Sequence, residues 1–256
     1  MGDCDKKYEK DRIIIIGSEI DLWYNICKNR TDTGKGACDR TMGVNLKEIA
    51  GAYFRLVPKD MGDLSRIEGK GMVFHAESYE AEGAGALCLL HMEGTAGLMT
   101  MESAAFTPSR LDGPILSMDR ICANGEETLL LELIDTVLSD RRFPALEEVK
   151  NRYADLPVFE PKRAWYSDLH LPGSAFYRGR EIGKELDQLL REYSEAYFAA
   201  LLRCPVCDPV EKSRKNAVLP EGLLSEGGPA ADQFKAMLGE EKTAVFMKKY
   251  MFCCEQ

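Results

Sequence analysis

Four carboxylates lie inside otherwise apolar stretches of the chain, at Glu93, Glu102, Asp119 and Glu132. An isolated carboxylate that is removed from water costs several kcal/mol unless it is paired or protonated. Burial therefore tends to raise the pKa of such a group, which is what a general acid needs near neutral pH. Each carboxylate could instead lie at a strand end or on a solvated patch. Asp119, just before another apolar run, is the strongest candidate for a catalytic acid.

A proline-broken aromatic segment, Leu156-Pro-Val-Phe-Glu-Pro-Lys-Arg-Ala-Trp165, carries a second set of useful side chains. The guanidinium of Arg163 can pair bidentately with a carboxylate, and the indole of Trp165 can stack on a flat conjugated ring. The alternative is a packed surface loop without a ligand.

The sheet that must position these residues is predicted between Ala86 and Asp135. This stretch has the pattern of four consecutive strands separated by turn signals, among them Gly94–Gly97 and the hairpin signal Asn124-Gly125. Tight turns between consecutive strands imply antiparallel pairing. Apolar residues occupy both faces of the last strand, so both faces need cover. We therefore expect an α/β/α sandwich with a central antiparallel sheet flanked by helices.

Helical patterns surround this sheet. Apolar spacing predicts helices over Asn45–Pro58, Pro144–Tyr153, Glu181–Leu202 and Pro229–Phe252, a first sheet strand at Gly71–Tyr79, and a strand at Ile13–Ile16 that continues as a helix from Ser18. Residues Cys204–Gly228 are rich in Pro, Gly and charge and are predicted to form a loop. Asp232 falls in the first turn of the last helix, where any carboxylate favours the helix dipole.

Composition limits the class of protein. The chain has 256 residues, 45% of them hydrophobic, and no linker rich in Pro, Gly or Ser, so one domain over residues 1–256 is predicted. The formal net charge of −9 argues against nucleic acid as a partner, because phosphate binding needs a basic face. The run Ile13–Ile16 is too short for a signal peptide or a membrane span, so we expect no membrane association and a cytoplasmic location.

Cysteine pairs are a further chemical signal. Cys204-Pro-Val-Cys207 and Cys253-Cys254 could supply thiolates to a zinc or iron–sulfur site, or be redox-active. The sequence contains no second CxxC, and no two of its three histidines share a metal-ligand spacing, so we predict no metal site. No dinucleotide fingerprint is present, and neither a flavin nor NAD(P) is expected.

The order of these features resembles the ferredoxin-dependent bilin reductases, enzymes that reduce linear tetrapyrroles made from haem. The resemblance rests on a strand ending in Phe106, then Arg110, then Pro114-Ile-Leu-Ser-Met-Asp119, then a glycine turn and an apolar strand ending in Asp135. A segment with an Arg and a Trp and a C-terminal helix with an early Asp follow in the same order. The match extends over about a third of the chain.

The resemblance implies reduction of a biliverdin-like bilin by a radical mechanism, with acidic side chains as proton donors. Asp119 stands at the position of the family's central proton donor, Glu102 replaces the usual His or Asn, and Asp232 would donate from the opposite side. The residues that would bind substrate are Arg163, Trp165, Thr128 and Glu93. Electrons would come singly from reduced ferredoxin or flavodoxin, with no tightly bound cofactor.

An acidic electron donor such as ferredoxin needs a local basic patch on this acidic chain. Lys212–Lys215 and Lys248–Lys249 are the candidates, although ordinary solvated charge explains either run.

Two alternative functions remain open. The first is an enzyme like red chlorophyll catabolite reductase, a relative of the same fold that lacks the carboxylate at the position of Asp119. The second is a non-enzymatic tetrapyrrole-binding protein that keeps the pocket and has lost the chemistry, an alternative left open by Glu102.

Overall fold

A computed structural model of the protein describes residues 43–94 and 99–254. Its strands are β1 Leu56–Pro58, β2 Arg66–Gly69, β3 Met72–Ala81, β4 Gly85–Gly94, β5 Met99–Pro108, β6 Ile115–Ala123, β7 Glu126–Ile134 and β8 Ala175–Gly179. The predicted strand Ile13–Ile16, the helix from Ser18 and most of the turn Gly94–Gly97 lie outside the described residues. The assignment of residues 1–256 to a single domain remains a prediction.

All pairings between these strands are antiparallel, in the order β1-β3-β4-β5-β6-β7-β8, with β2 also paired to β3. Strands β4 to β7 form the predicted meander. The turn between β6 and β7 consists of Asn124 and Gly125, whose φ angles are +52° and +72°. Two consecutive positive φ angles are what a tight two-residue hairpin requires, so the Asn-Gly signal is confirmed.

Helices cover both faces of the sheet. Face A, which carries Leu129, Leu131 and Leu133 of β7, packs against α1 Leu46–Gly51, α2 Pro144–Arg152 and α3 Gly183–Leu201. Face B, which carries Thr128, Leu130 and Glu132, packs against α4 Pro209–Ser225, α5 Pro229–Leu238 and the C-terminal turns α6 Glu240–Val245 and Phe246–Met251. The α/β/α sandwich with a central antiparallel sheet is confirmed.

Two helices differ from the predicted bounds. The first helix, capped by the side chain of Asn45, ends at Gly51, and the chain then enters β1. The last helix is interrupted at Gly239, whose φ of +78° is not helical. In the described ranges no helix is both long enough and apolar enough to cross a membrane.

The loop predicted over Cys204–Gly228 is wrong, because most of it forms helix α4. The side chain of Asp208 accepts hydrogen bonds from the amides of Val210 and Glu211, and Pro209 follows at the first helical position. Apolar spacing misses this helix because its buried side chains include Lys212 and Asn216.

Lys212 and Asn216 attach α4 to backbone carbonyl groups at three strand ends. The Nζ atom of Lys212 donates to the carbonyl oxygens of Gly113 and Thr136, both at 2.5 Å, and the amide of Asn216 donates to the carbonyl of Pro108 at 2.7 Å. Lys212 is completely buried and is therefore unavailable to the basic docking patch predicted for it. Its hydrogen bonds hold α4 over the edge of face B.

The burial of Lys212 predicts that the stability of the fold depends on pH. Burial is the main cause that lowers the pKa of Lys212 to about 8 from 10.5. Between these values the unfolded chain binds a proton that the folded chain has released, so stability rises with pH. The free energy of unfolding of the wild type, relative to Lys212→Met, should rise by up to about 3 kcal/mol across this interval.

Urea denaturation at several pH values measures this difference, and Lys184→Met, at an exposed position of α3, is the matched control. A difference between wild type and Lys212→Met that is flat with pH would contradict the prediction.

Candidate functional site

The two faces of the sheet are filled differently. On face A, Leu116 and Met118 of β6 and Leu131 of β7 are 0–3% exposed. On the same strands, Ser117, Asp119, Leu130 and Glu132 point to face B and remain partly exposed although helices cover that face. Exposure beneath a helical cover means that side chains do not fill the space. From this partial exposure we infer an open pocket on face B.

Asp119 lies in the middle of this pocket wall. Its directly opposed residue on β5 is Ser103, and its neighbour on β7 is Leu130. The hydroxyl of Ser103 donates a hydrogen bond to Oδ1 of Asp119. A carboxyl group held by a neighbouring hydroxyl on this partly exposed face is positioned to exchange a proton with a ligand.

Glu102 and Glu93, expected beside Asp119, lie on face A. Glu102 is opposed by Arg120 rather than by Asp119. Both glutamates contact His91, at 2.5 Å from Nδ1 to Glu102 and 3.2 Å from Nε2 to Glu93. The structure thus gathers two of the predicted residues into a cluster on the other side of the sheet.

The groups of this face A cluster alter each other's protonation. Burial raises the pKa of Glu102, and the hydrogen bond from His91 works in the opposite direction. Burial works to lower the pKa of His91, but Glu102 and Glu93 outweigh it, and the net pKa of His91 is raised. Burial and the ion pair thus act in opposite directions on the pKa of each group. The side chain of Glu93 is 66% exposed, so the cluster opens toward solvent.

Aromatic side chains form a second wall of the pocket. The ring of Trp165 meets that of Tyr166 edge to face, and the rings of Tyr166 and Phe176 lie 6.1 Å and 5.6 Å from His170. The Nε1 atom of Trp165 donates to the carbonyl of Gly227 at 2.9 Å. A Cβ on Gly222 of α4 would lie 2.1 Å from the Trp165 ring, so only glycine allows this approach.

A carboxylate–imidazole pair joins the aromatic wall to the sheet. Nε2 of His170 lies 3.0 Å from Glu132, and their side chains are 15% and 17% exposed. Glu132 is opposed by Ser117, two residues from Asp119 on β6, so both carboxylates belong to the same face. This pair was not predicted as part of the site.

The predicted ligand-binding side chains Arg163 and Thr128 already have protein partners. The guanidinium of Arg163 contacts both carboxylate oxygens of Asp168, at 2.8 Å and 3.0 Å, on the exposed surface. The hydroxyl of Thr128 is buried and accepts a hydrogen bond from Nε of Arg178 at 3.1 Å. Arg178 also lies over the ring of Phe159, so a second guanidinium stands on face B.

Asp232 lies at the far side of the aromatic wall. It is partly exposed in the first turn of α5, and a Cβ on Gly227 would lie 3.2 Å from its Oδ1. Because the carbonyl of Gly227 accepts from Trp165, Asp232 and Trp165 share one neighbour.

In the two cysteine pairs, Cys204, Cys207 and Cys253 carry free thiols. Burial is the main cause that raises the pKa of the Cys204 and Cys207 thiols, which lowers their nucleophilicity at neutral pH. Within residues 43–94 and 99–254, no group of three or more His, Cys, Asp or Glu side chains is arranged to hold a metal ion.

Sequence reasoning missed three polar residues of face B: Ser103, His170 and Arg178. Ser103 could be found from strand parity alone, because adjacent residues of a strand face opposite sides. Arg178 comes to the site because β8 pairs with Glu127–Leu131 of β7, and His170 because it bridges to Ile134 at the end of β7. No local pattern in the sequence reveals that pairing.

Comparisons with known proteins bear on the fold. No protein-family model and no curated protein matches the sequence. Solved structures do match, among them phytochromobilin synthase from tomato in complex with biliverdin. The two chains are 17% identical with a TM-score of 0.63, and the match covers 82% of this chain and 80% of that chain. At this identity, the likeness shows that the chain shares the sandwich fold of phytochromobilin synthase.

Proposed function

We propose that the protein reduces a linear tetrapyrrole of the biliverdin class. The observation that carries the proposal is the partly open pocket on face B, with Asp119 on one wall and aromatic rings on the other. A flat conjugated ligand can stack on such rings while a carboxyl group delivers protons. The shared fold adds support, since phytochromobilin synthase was solved with biliverdin bound.

The proposed roles follow the placement of side chains. Asp119 protonates the bound pigment, and Ser103 orients its carboxyl group. Trp165 lines the pocket, and Asp232 donates from the side of α5. Propionate groups of the pigment bind guanidinium groups, with Arg163 at the surface and Arg178 beside Thr128 as the candidates. The reaction uses no tightly bound cofactor.

Electrons are proposed to come one at a time from reduced ferredoxin or flavodoxin, which are acidic proteins. Of the lysines predicted to dock them, Lys212 is buried, Lys248 lies 3.8 Å from Glu221, and Lys249 lies over the ring of Tyr250. Burial removes Lys212 from this patch, and the charge of Lys248 is partly compensated by Glu221. A surface with several exposed guanidinium groups is therefore the stronger candidate.

A better docking surface surrounds the loop that precedes α4; we call it the arginine surface, formed by Arg110, Arg203, Arg214, Leu202, Val206 and Val210. The arginines are exposed, and the three apolar side chains are 53–81% exposed. Backbone contacts hold the loop together, since Val206 bridges to Leu111 and the amide of Cys207 donates to the carbonyl of Arg110. Apolar groups ringed by guanidinium groups suit an acidic protein partner.

The first prediction concerns the proton donor. Asp119→Asn should bind biliverdin with a Kd within about threefold of wild type, since the substitution keeps shape and polarity. Its reduction rate should fall by about 100-fold or more, because the amide has no proton to give. Anaerobic absorbance titration measures binding, and subsequent addition of reduced ferredoxin measures turnover. Turnover of Asp119→Asn at the wild-type rate would contradict the assignment of Asp119 as the proton donor.

Asp155→Asn, on the exposed surface, is the matched control. Two variants test which residue assists Asp119. Because Glu102 lies on face A, Glu102→Gln should reduce biliverdin at the wild-type rate. Because Ser103 shares face B with Asp119, Ser103→Ala should not. Binding of biliverdin without any spectral change on reduction, in the wild type, would favour the non-enzymatic carrier.

The second prediction concerns the arginine surface. Arg110→Glu combined with Arg203→Glu should lower the rate with a protein donor by about tenfold at low ionic strength, because like charges then repel the donor. Reduction of bound biliverdin by dithionite should be unchanged, since the pocket is untouched. Arg191→Glu, an exposed position of α3, is the matched control. Equal rates with the protein donor for the wild type, the double variant and Arg191→Glu would exclude the arginine surface as the docking site.

A further inference from the structure

The Glu132–His170 pair has no evident structural task. The turn that carries His170 is already tied to the sheet by its backbone: Asp135 donates to the carbonyl of Leu169 at 2.7 Å, and Leu171 donates to the carbonyl of Leu133 at 2.8 Å. Burial of an ionisable pair costs desolvation energy that a plain apolar contact would avoid. The side-chain pair is therefore not what holds the turn in place.

The pair lies close to Asp119. Glu132 is a diagonal cross-strand neighbour of Asp119, a relation that places Cβ atoms about 7–8 Å apart. Leu130 is directly opposed by Asp119 on β6 and by Phe176 on β8, and Leu130 and Phe176 are both partly exposed on face B. Asp119, the aromatic ring of Phe176 and the Glu132–His170 pair thus share one region of this face.

The geometry of the pair suits proton donation. A carboxylate can only accept, so the contact of Glu132 with Nε2 assigns the proton of the neutral ring to Nε2 and leaves Nδ1 for a second proton. The carboxylate also fixes the orientation of the ring. The rings of Tyr166 and Phe176 flank the imidazole and limit its rotation.

We propose that His170 is a second proton donor of the pocket and that Glu132 is its positioning residue. This inference rests on the proposed function. In a two-electron reduction, two molecules of a one-electron protein donor are each oxidised once, one double bond of the pigment is lost, and two bonds to hydrogen form. Asp119 supplies one proton as its carboxyl becomes carboxylate. His170 supplies the other as imidazolium becomes imidazole, and water restores both.

The test is a single-turnover experiment with bound biliverdin and a reduced ferredoxin under anaerobic conditions. His170→Gln should bind biliverdin with a Kd within about threefold of wild type. Its second reduction step should slow by about 100-fold, so that a one-electron radical accumulates and is visible by electron paramagnetic resonance. Added imidazole should restore the rate of His170→Ala, which a purely structural role does not predict.

Two further variants keep the test decisive. Glu132→Gln preserves the hydrogen bond but not the charge and should slow the same step by about tenfold, even if His170→Gln fails to fold. His75→Gln, an exposed histidine of face A, is the control and should behave as wild type.

The outcomes separate the two proposals. If wild type does not reduce biliverdin, the proposed function fails and this inference fails with it. If wild type turns over, Asp119→Asn does not, and both His170→Gln and Glu132→Gln run at the normal rate, only the inference is overturned. Radical accumulation in Asp232→Asn instead of His170→Gln would assign the second proton to Asp232 and overturn it equally.

Discussion

The register between β5 and β6 decides which polar side chains share a pocket. It sets Ser103 opposite Asp119 and Glu102 opposite Arg120, and a slip of one residue would exchange the two faces completely. Large apolar side chains hold the register, since Phe106 and Leu116 are directly opposed and nearly fully buried on face A. A shift of one residue would move Phe106 and Leu116 to face B, where the covering helices fill the space less completely. The position of the proposed proton donor is thus a consequence of core packing on the opposite face.

The helices that cover the two faces of the sheet also differ in how they pack. On face A, α3 buries Leu186, Leu189 and Leu190 almost completely, so that layer is packed like any hydrophobic core. On face B, α4 is fastened by Lys212 and Asn216 to carbonyl groups at strand ends, at the margin of the sheet rather than over its centre. Over β4 and β5, Leu90 and Ala105 are buried in one cluster with Phe234 and Phe246 of the covering helices. The partly exposed side chains of face B lie instead on β6 and β7, and that is where we infer the pocket.

Local patterns predicted the parts of the molecule that local physics determines. The Asn-Gly hairpin, the strands of the meander and helix α3 follow from turn chemistry and apolar spacing, and each was found near its predicted bounds. Helix α4 was missed because Lys212 and Asn216 replace apolar residues on its buried side. The placement of Glu102 differed for a subtler reason: adjacent strand residues lie on opposite faces, and only the register tells which one faces Asp119. Residues such as His170 depend on contacts distant in sequence, and no pattern within a short window reveals them.

Each face of the sheet carries a carboxylate–imidazole pair. Comparison of the two pairs shows why residue types alone do not identify a functional site. His91 and Glu102 on face A have the side chain of Glu93, 66% exposed, as their neighbour, so water and a second carboxylate can compensate any charge that forms. His170 and Glu132 on face B have aromatic rings beside them and a helical layer above the face, where charge is less well screened. A proton that leaves the first pair is exchanged with solvent. In the proposal made above, a proton that leaves the second pair passes to the ligand in the pocket, so the surroundings rather than the residue types distinguish a proposed donor from a surface pair.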